Sequence, residues 1–533
     1  MPQSGSTRCI PWVGFVAGLV LALLVYFSMA HHLESIQHSL NQPKLRIESM
    51  PFVAAIAVLM GVWWMSEAIE LVATALLPLV LFTLCGVAGF KEVGASYASP
   101  IIFLFMGGFV LAMAMQRWNL HTRIALNIIA LVGTSPRALV AGFMLATAFL
   151  SMWVSNTATA VMMMPVGLSV LQLVAKLLEE KQGQATPLDS SPLSRASTQG
   201  GILQNIVDKG QDAKTPVHRT NFSVCLMLGI AYSASIGSLG TLIGTPPNAL
   251  LAGYMQEAMH VKIDFGKWMI LGMPLSLLML FAAWALLTYT IFPIEIKNIP
   301  GGKEMIQEEL KKLGAMNSGE RWVAFLFVVA SLSWIFLGSF LHSRGIKIPN
   351  IDSIIAMSVA VLLFIIPAQN TCLIDWNTMK KLPWDVLLLF GGGLALSAQF
   401  SKTGLSLWIG KQVALLGHIP LLLLIVLVTT MVIFLTEITS NTATAAAFLP
   451  VLGGVALGLG FKGAEVLSLT IPVALAATCA FMLPVATPPN AIAYGSGYLQ
   501  MKDMIKAGLW LNLIGIVLIS GFAYSLVHLI FVR

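Results

Sequence analysis

Charge is what this sequence lacks. Asp, Glu, Lys and Arg make up 10% of its 533 residues, where a soluble domain carries about a quarter. Too few charges exist to cover a water-facing surface, so a soluble globular protein is excluded and the surface must face lipid. Cysteine is sparse as well. Cys9, Cys85, Cys225, Cys372 and Cys479 are scattered, most of them in or beside apolar spans, and no pair has metal or redox spacing. They read as small buried hydrophobes. Nine histidines form no ligand cluster. No Gly-rich phosphate loop, nucleophile–base pair or metal cluster stands out, which argues against an enzyme. The formal charge of +7 implies no nucleic-acid partner, because the basic residues lie in short loops between apolar spans. There they set membrane topology.

Apolar sequence is what is there. Hydrophobic residues reach 57% and the mean hydropathy is +0.85. Runs long enough to cross a bilayer, about 20 residues each, recur from Pro11 to Val532. Spans are predicted over 12–30, 51–66, 69–88, 100–117, 222–258, 268–292, 321–341, 351–367, 385–400, 465–500 and 508–531. The run 12–30 is longer than a signal-peptide core and only Arg8 precedes it, so it reads as a retained first helix. Spans 222–258 and 465–500 are too long for one straight helix, and Gly, Thr and Pro interrupt each. Stretches 138–176 and 419–459 carry a polar Ser-Asn-Thr in the middle.

The two halves repeat these landmarks in one order. Leu104–Gly108 pairs with Leu389–Gly393, and Ser155-Asn156-Thr157-Ala158-Thr159-Ala160 pairs with Ser440-Asn441-Thr442-Ala443-Thr444-Ala445, both at an offset of 285. Thr245-Pro246-Pro247-Asn248-Ala249 pairs with Thr487-Pro488-Pro489-Asn490-Ala491 at an offset of 242. The slip is taken up by a polar stretch, 177–220, read as a solvent-exposed loop. Three matched landmarks indicate an internal duplication. If 138–176 and 419–459 are re-entrant hairpins, each repeat holds five full spans and the second copy is inverted. With the N-terminus in the cytoplasm, 19 of the 30 Lys and Arg residues then fall on the cytoplasmic side, the expected bias. Counting each hairpin as a full crossing is the alternative. The domains predicted are 1–50, an N-terminal helix and loop; 51–292, the first repeat; 293–320, a cytoplasmic linker; and 321–533, the second repeat.

Backbone breaks inside a membrane are tolerated where they line a cavity. Each of the four breaks places Ser, Asn or Thr just before helix formers, as an N-cap does, and Pro is suited to a helix's first turn. Helix N-termini favour an anion, while helices that stop at a break leave carbonyls for a small hard cation such as Na⁺. Discontinuous helices at matching places in repeats point to a transporter site. No Arg or Lys occurs in the breaks, so the charge of a bound anion is offset by bound cations, and cation-coupled transport is expected. Glu67, Glu70 and Glu437 lie in or beside apolar runs and stand either as coupling groups or as scaffold carboxylates. The Gly runs 107–108 and 391–393 are read as close helix packing.

These motifs resemble the divalent anion/sodium symporters, which include sodium-coupled dicarboxylate and citrate carriers. The resemblance is carried by the paired Ser-Asn-Thr motifs, Gly244-Thr245-Pro246-Pro247-Asn248, Ala486-Thr487-Pro488-Pro489-Asn490 and Ser66-Glu67-Ala68-Ile69, and it covers nearly the whole chain. It implies an all-α polytopic homodimer with a scaffold and an elevator-type transport domain in a bacterial inner membrane. Ser155, Asn156, Thr157, Ser440, Asn441 and Thr442 would contact substrate carboxylates, with Thr245, Pro246, Thr487 and Pro488 nearby. One sodium site would use Ser151, Ser155, Asn156 and Gly244; the other Thr436, Thr439, Asn441 and Ala486. Ser151 and Thr436 each precede their motif by four residues, so each hairpin supplies one further hydroxyl. The expected cargo is a C4-dicarboxylate such as succinate, malate or fumarate. Sodium-independent exchange, or carriage of citrate, 2-oxoglutarate or sulfate, remains open at this stage.

Overall fold

The computed structural model describes residues 9–40, 43–133, 135–181, 219–295, 302–414 and 419–532. These are almost wholly helical; the one strand pairing among them is the small loop hairpin of Pro367–Ala368 with Thr371–Cys372. Nine helices among the described residues are long and apolar enough to cross a membrane. Peripheral helices turn an apolar stripe outward. In Phe265–Ala285, Ile270, Leu277, Leu278 and Phe281 are exposed while Trp268, Leu271, Leu275 and Met279 are buried. Such a surface is stable only in lipid.

The interrupted spans form the centre. The first divides into Asn221–Ser238 and Pro246–Ala258, the second into Leu467–Thr478 and Pro488–Gly495, with one 3₁₀ turn at Pro484–Ala486 between. Phe222 to Ser238 and all of Leu467–Thr478 are buried. The breaks follow from local chemistry. Pro disfavours helical backbone in the residue before it, and Thr245 (φ −145°, ψ 145°) and Thr487 (φ −144°, ψ 149°) are both extended. Each polar stretch is the tip of a helical hairpin: Pro136–Ser151 with Asn156–Lys181, and Leu421–Thr436 with Asn441–Gly458.

The halves exchange partners. Pro246–Ala258 packs on Asn441–Gly458 and Leu467–Thr478, whereas Pro488–Gly495 packs on Asn156–Lys181 and Asn221–Ser238. Outside this centre, Pro100–Arg117 lies against Ile351–Ile365, and Trp384–Thr403 against Leu71–Leu84. The Gly runs make those last contacts. A Cβ on Gly107 would collide with the backbone of Ala356, and one on Gly392, 285 residues later, with the backbone of Ala75. The glycines thus serve close packing between halves.

Some elements depart from the predicted map. Leu120–Val132 and Leu405–Ala414, again 285 residues apart, precede the two hairpins as short amphipathic helices. The linker 293–320 contains the helix Gly302–Lys312, which packs on Leu120–Val132. Arg123 of that helix pairs with the buried Glu320 at 2.5 Å. The predicted loop begins late, because Asn156–Lys181 stays helical; 182–218 lies outside the described residues. The first helix, Cys9–His31, packs along Met50–Ser66 through Gly14 and Gly18, whose missing side chains admit Ser66 and Trp63.

Candidate functional site

Each hairpin tip builds the same oxygen cluster. In the first, Ser151 Oγ lies 2.9 Å from Asn156 Oδ1 and 2.5 Å from the Ala234 carbonyl. In the second, Thr436 Oγ1 lies 2.7 Å from Asn441 Oδ1 and 2.9 Å from the Ala477 carbonyl. A hydroxyl, an amide oxygen and a main-chain carbonyl therefore meet twice, each carbonyl coming from the helix that ends at the neighbouring break. All three are neutral hard oxygens, a donor set that suits Na⁺ or another hard cation and not a thiolate-seeking metal. No group of three His, Cys, Asp or Glu able to hold a metal occurs among the described residues.

The carbonyls released at the breaks are largely taken by protein groups. Asn248 Nδ2 donates to the carbonyls of Ser238 (3.3 Å) and Thr241 (2.9 Å). Asn490 Nδ2 donates to those of Ala480 and Leu483, both at 3.1 Å. The Asn of each Thr-Pro-Pro-Asn is thus a staple across its own break. No hydrogen bond reaches the carbonyls of Gly244 or Ala486 among the described residues, so those two expected cation ligands keep free lone pairs.

The four expected caps divide into two kinds. Ser155 Oγ accepts from the Ala158 N–H at 3.4 Å, and Thr487 Oγ1 from the Asn490 N–H at 3.3 Å. Ser440 and Thr245 make no cap bond. Thr245 Oγ1 instead lies 3.4 Å from Thr478 Oγ1 of the other half, a polar contact between the two broken helices. Thr157, Ser440 and Thr442 make no side-chain hydrogen bond among the described residues, and Asn441 Nδ2 is equally unspent. Those donors and the first-turn N–H groups of the helices are what an anion would meet. Pro246 is half-buried and Pro488 exposed. No hydrogen bond links the first Ser-Asn-Thr to the second.

Thr439 is not brought to the second oxygen cluster by hydrogen bonding. Its Oγ1 donates to the Leu435 carbonyl at 2.9 Å and lies 2.7 Å from Thr444 Oγ1. Sequence reading also missed Ser238, whose Oγ accepts from Asn156 Nδ2 at 3.3 Å, and Thr241, whose Oγ1 donates to the Met152 carbonyl at 2.5 Å. Both sit just before a Thr-Pro-Pro-Asn in a Ser/Gly/Thr-rich run, which is the only signal available. Glu67 and Glu70 are exposed residues at helix ends, Glu67 in the left-handed region at φ 47°. Glu437 is buried at 3% exposure. Its carboxylate accepts from the N–H groups of Phe481, Met482 and Leu483 and from Asn512 Nδ2, so it is a clamp on the second break.

Residues 26–532 match the family model described as the sodium:sulfate symporter transmembrane region. The chain belongs to this family of divalent anion:sodium symporters. It is 41% identical over 519 residues to a protein of Staphylococcus saprophyticus named sodium-dependent dicarboxylate transporter SdcS, covering 97% of this chain and 92% of that one. A protein of the same name from Staphylococcus aureus (strain MRSA252) is 42% identical over 484 residues, covering 90% and 86%. Among solved structures, that of Neisseria gonorrhoeae MtrF, an antimetabolite efflux pump, aligns at a TM-score of 0.51 and 13% identity, covering 85% of each chain; this is a likeness of fold alone. The family and these relatives are transporters, so the chain is an integral membrane transporter of the all-α class and not an enzyme.

Proposed function

We propose that this transporter carries a C4-dicarboxylate, such as succinate, malate or fumarate, together with Na⁺. The observation that carries this reading is the duplicated trio of neutral oxygens beside unspent hydroxyl and amide donors, with no basic side chain among them. Cations held at Ser151, Ser155, Asn156 and Gly244, and at Thr436, Thr439, Asn441 and Ala486, would supply the positive charge that an anion needs. Ser155, Asn156, Thr157, Ser440, Asn441 and Thr442 would then meet its carboxylates, one from each half, with Thr245, Pro246, Thr487 and Pro488 shaping the walls. The two-fold exchange of helices suits a cargo with a carboxylate at each end. Relatives named as sodium-dependent dicarboxylate transporters support the same cargo class.

The two hairpins and two broken helices pack on one another as a unit, which supports their moving together as an elevator against a scaffold built from the remaining spans. The charge bias supports inverted repeats with a cytoplasmic N-terminus, and bacterial relatives support a bacterial plasma membrane. A homodimer completes the proposal.

The test is uptake of labelled succinate into proteoliposomes with and without an inward sodium gradient. Uptake should need the gradient and be competed by malate and fumarate. Asn156→Ala and Asn441→Ala should each abolish it while the protein stays monodisperse. Wild-type uptake in both variants would sink the site assignment. Uptake that needs internal dicarboxylate and ignores sodium would replace symport by exchange, and competition by sulfate, citrate or 2-oxoglutarate alone would replace the cargo.

A further inference from the structure

A cleft of about 630 Å³ opens between the N-terminal helix pair and the second hairpin, within the roughly 300–1,000 Å³ of ligand pockets. Ser28 is the one hydroxyl among its lining residues. Along Met50–Ser66 the wall is a helical stripe from Ala54 through Ala57 to Met65. Gly61 is on the same stripe, and a Cβ there would meet nothing within 4 Å. At about 1.5 Å rise per residue the stripe is roughly 16 Å long, which is one leaflet of a hydrocarbon core roughly 30 Å thick. The opposite wall is Ala447, Phe448 and Val451 of Asn441–Gly458.

One end of this groove carries a cation. Leu405–Ala414 contributes Trp408 to the lining, and Lys411 follows one turn later. Lys411 is exposed and has no acidic partner among the described residues; its Nζ donates to the Ser39 carbonyl. Ser39 lies in Leu33–Leu40, which follows directly on the Ser28–Met29 end of the groove. An apolar slot one leaflet long, ending at an ammonium without an acidic partner, matches a phospholipid in both length and charge.

We propose that this groove binds one phospholipid, its acyl chain between Met50–Ser66 and Asn441–Gly458 and its phosphate at Lys411. The second wall belongs to the helix that starts at Asn441 of the second Ser-Asn-Thr. A lipid wedged there touches the site-bearing hairpin directly. Any coupling of that lipid to transport rests on the elevator reading; its binding does not.

Native mass spectrometry of the full chain, purified in mild detergent and offered dioleoylphosphatidylglycerol, tests this. The wild type should retain one phospholipid per chain. Ala57→Phe fills the slot, and Lys411→Glu, at an exposed position, repels the phosphate without touching the core. Each should lower retention about tenfold, as much as losing just under two buried methylenes would. A phosphatidylglycerol with a photoreactive mid-chain group should crosslink to 447–451. Absence of retained lipid in the wild type, unchanged retention in Lys411→Glu, or photolipid adducts that miss 447–451 would each overturn the proposal.

Discussion

Replacing Glu437 by alanine is expected to cost more stability than any single change in the Ser-Asn-Thr motifs. The carboxylate bridges the tip of the second hairpin to three successive N–H groups of the second break, Phe481 at 2.7 Å, Met482 at 3.0 Å and Leu483 at 3.2 Å, and to Asn512 Nδ2 at 2.7 Å. Phe481 and Asn512 are fully buried, whereas Met482 and Leu483 are half-buried. Water can replace the acceptor at the latter two but not at the former. Each buried donor left without a partner costs about 1–3 kcal/mol, so two dry donors set the loss at about 2–6 kcal/mol. Glu437→Gln keeps the shape and one acceptor oxygen but turns an NH₂ toward donors, for an intermediate loss of about 1–3 kcal/mol. Thermal unfolding of the purified protein in detergent, without ligand, should rank wild type above glutamine above alanine. An alanine variant that melts with the wild type, or a glutamine variant that melts below alanine, would refute the clamp.

Three further outcomes follow from the same contacts. Ser238→Ala frees Asn156 Nδ2 from its one hydroxyl partner; one neutral hydrogen bond is worth about 1 kcal/mol, so half-saturation by sodium in uptake assays should rise about fivefold with little change in melting temperature. Gly107→Val and Gly392→Val each drive a side chain into an alanine backbone of the other half; overpacking of about 1–3 kcal/mol is expected for both, and a loss in only one would contradict the two-fold pairing. Arg123→Met leaves the buried Glu320 unpaired, a loss of about 3–5 kcal/mol for a dry ion pair, read as a lower melting temperature that Glu320→Gln on the same background partly restores.

Where the sequence was legible, two signals coincided: an apolar run of fixed length and a polar or Pro-rich interruption inside it. That placed both hairpins and both broken helices, and the recurrence at 285 residues matched Gly107 with Gly392, which meet the backbones of Ala356 and Ala75. Leu120–Val132 and Leu405–Ala414 went unseen because each is too short to span and mixes His, Arg or Lys into its apolar sequence. The helix in the 293–320 linker was hidden by its polar composition. Glu437 stood open between a coupling group and a scaffold carboxylate, since the choice depends on the Phe481–Leu483 amides, more than forty residues away in sequence. Capping was legible as residue type but not as outcome: of Ser155, Ser440, Thr245 and Thr487, only the first and last spend a hydroxyl on their own helix.

The repeated motifs are therefore alike in sequence and unequal in chemistry. Asn156 is held from both sides, by Ser151 on its oxygen and by Ser238 on its nitrogen. Asn441 is held by Thr436 alone, because Ala480 stands at the position that matches Ser238. The second break compensates with a charged clamp: Glu437 occupies the position that matches Met152, whose carbonyl takes only the Thr241 hydroxyl. The inner hydroxyls differ too, since Thr444 finds Thr439 while Thr159, buried and without a partner, faces a hairpin that carries Val154 instead. One half fixes its hairpin asparagine directly and the other fixes the backbone around it. On the proposed assignment the two cation sites would share a donor set but not a stiffness, so sodium should fill them in order and not together, with the preorganised first cluster taking the earlier ion.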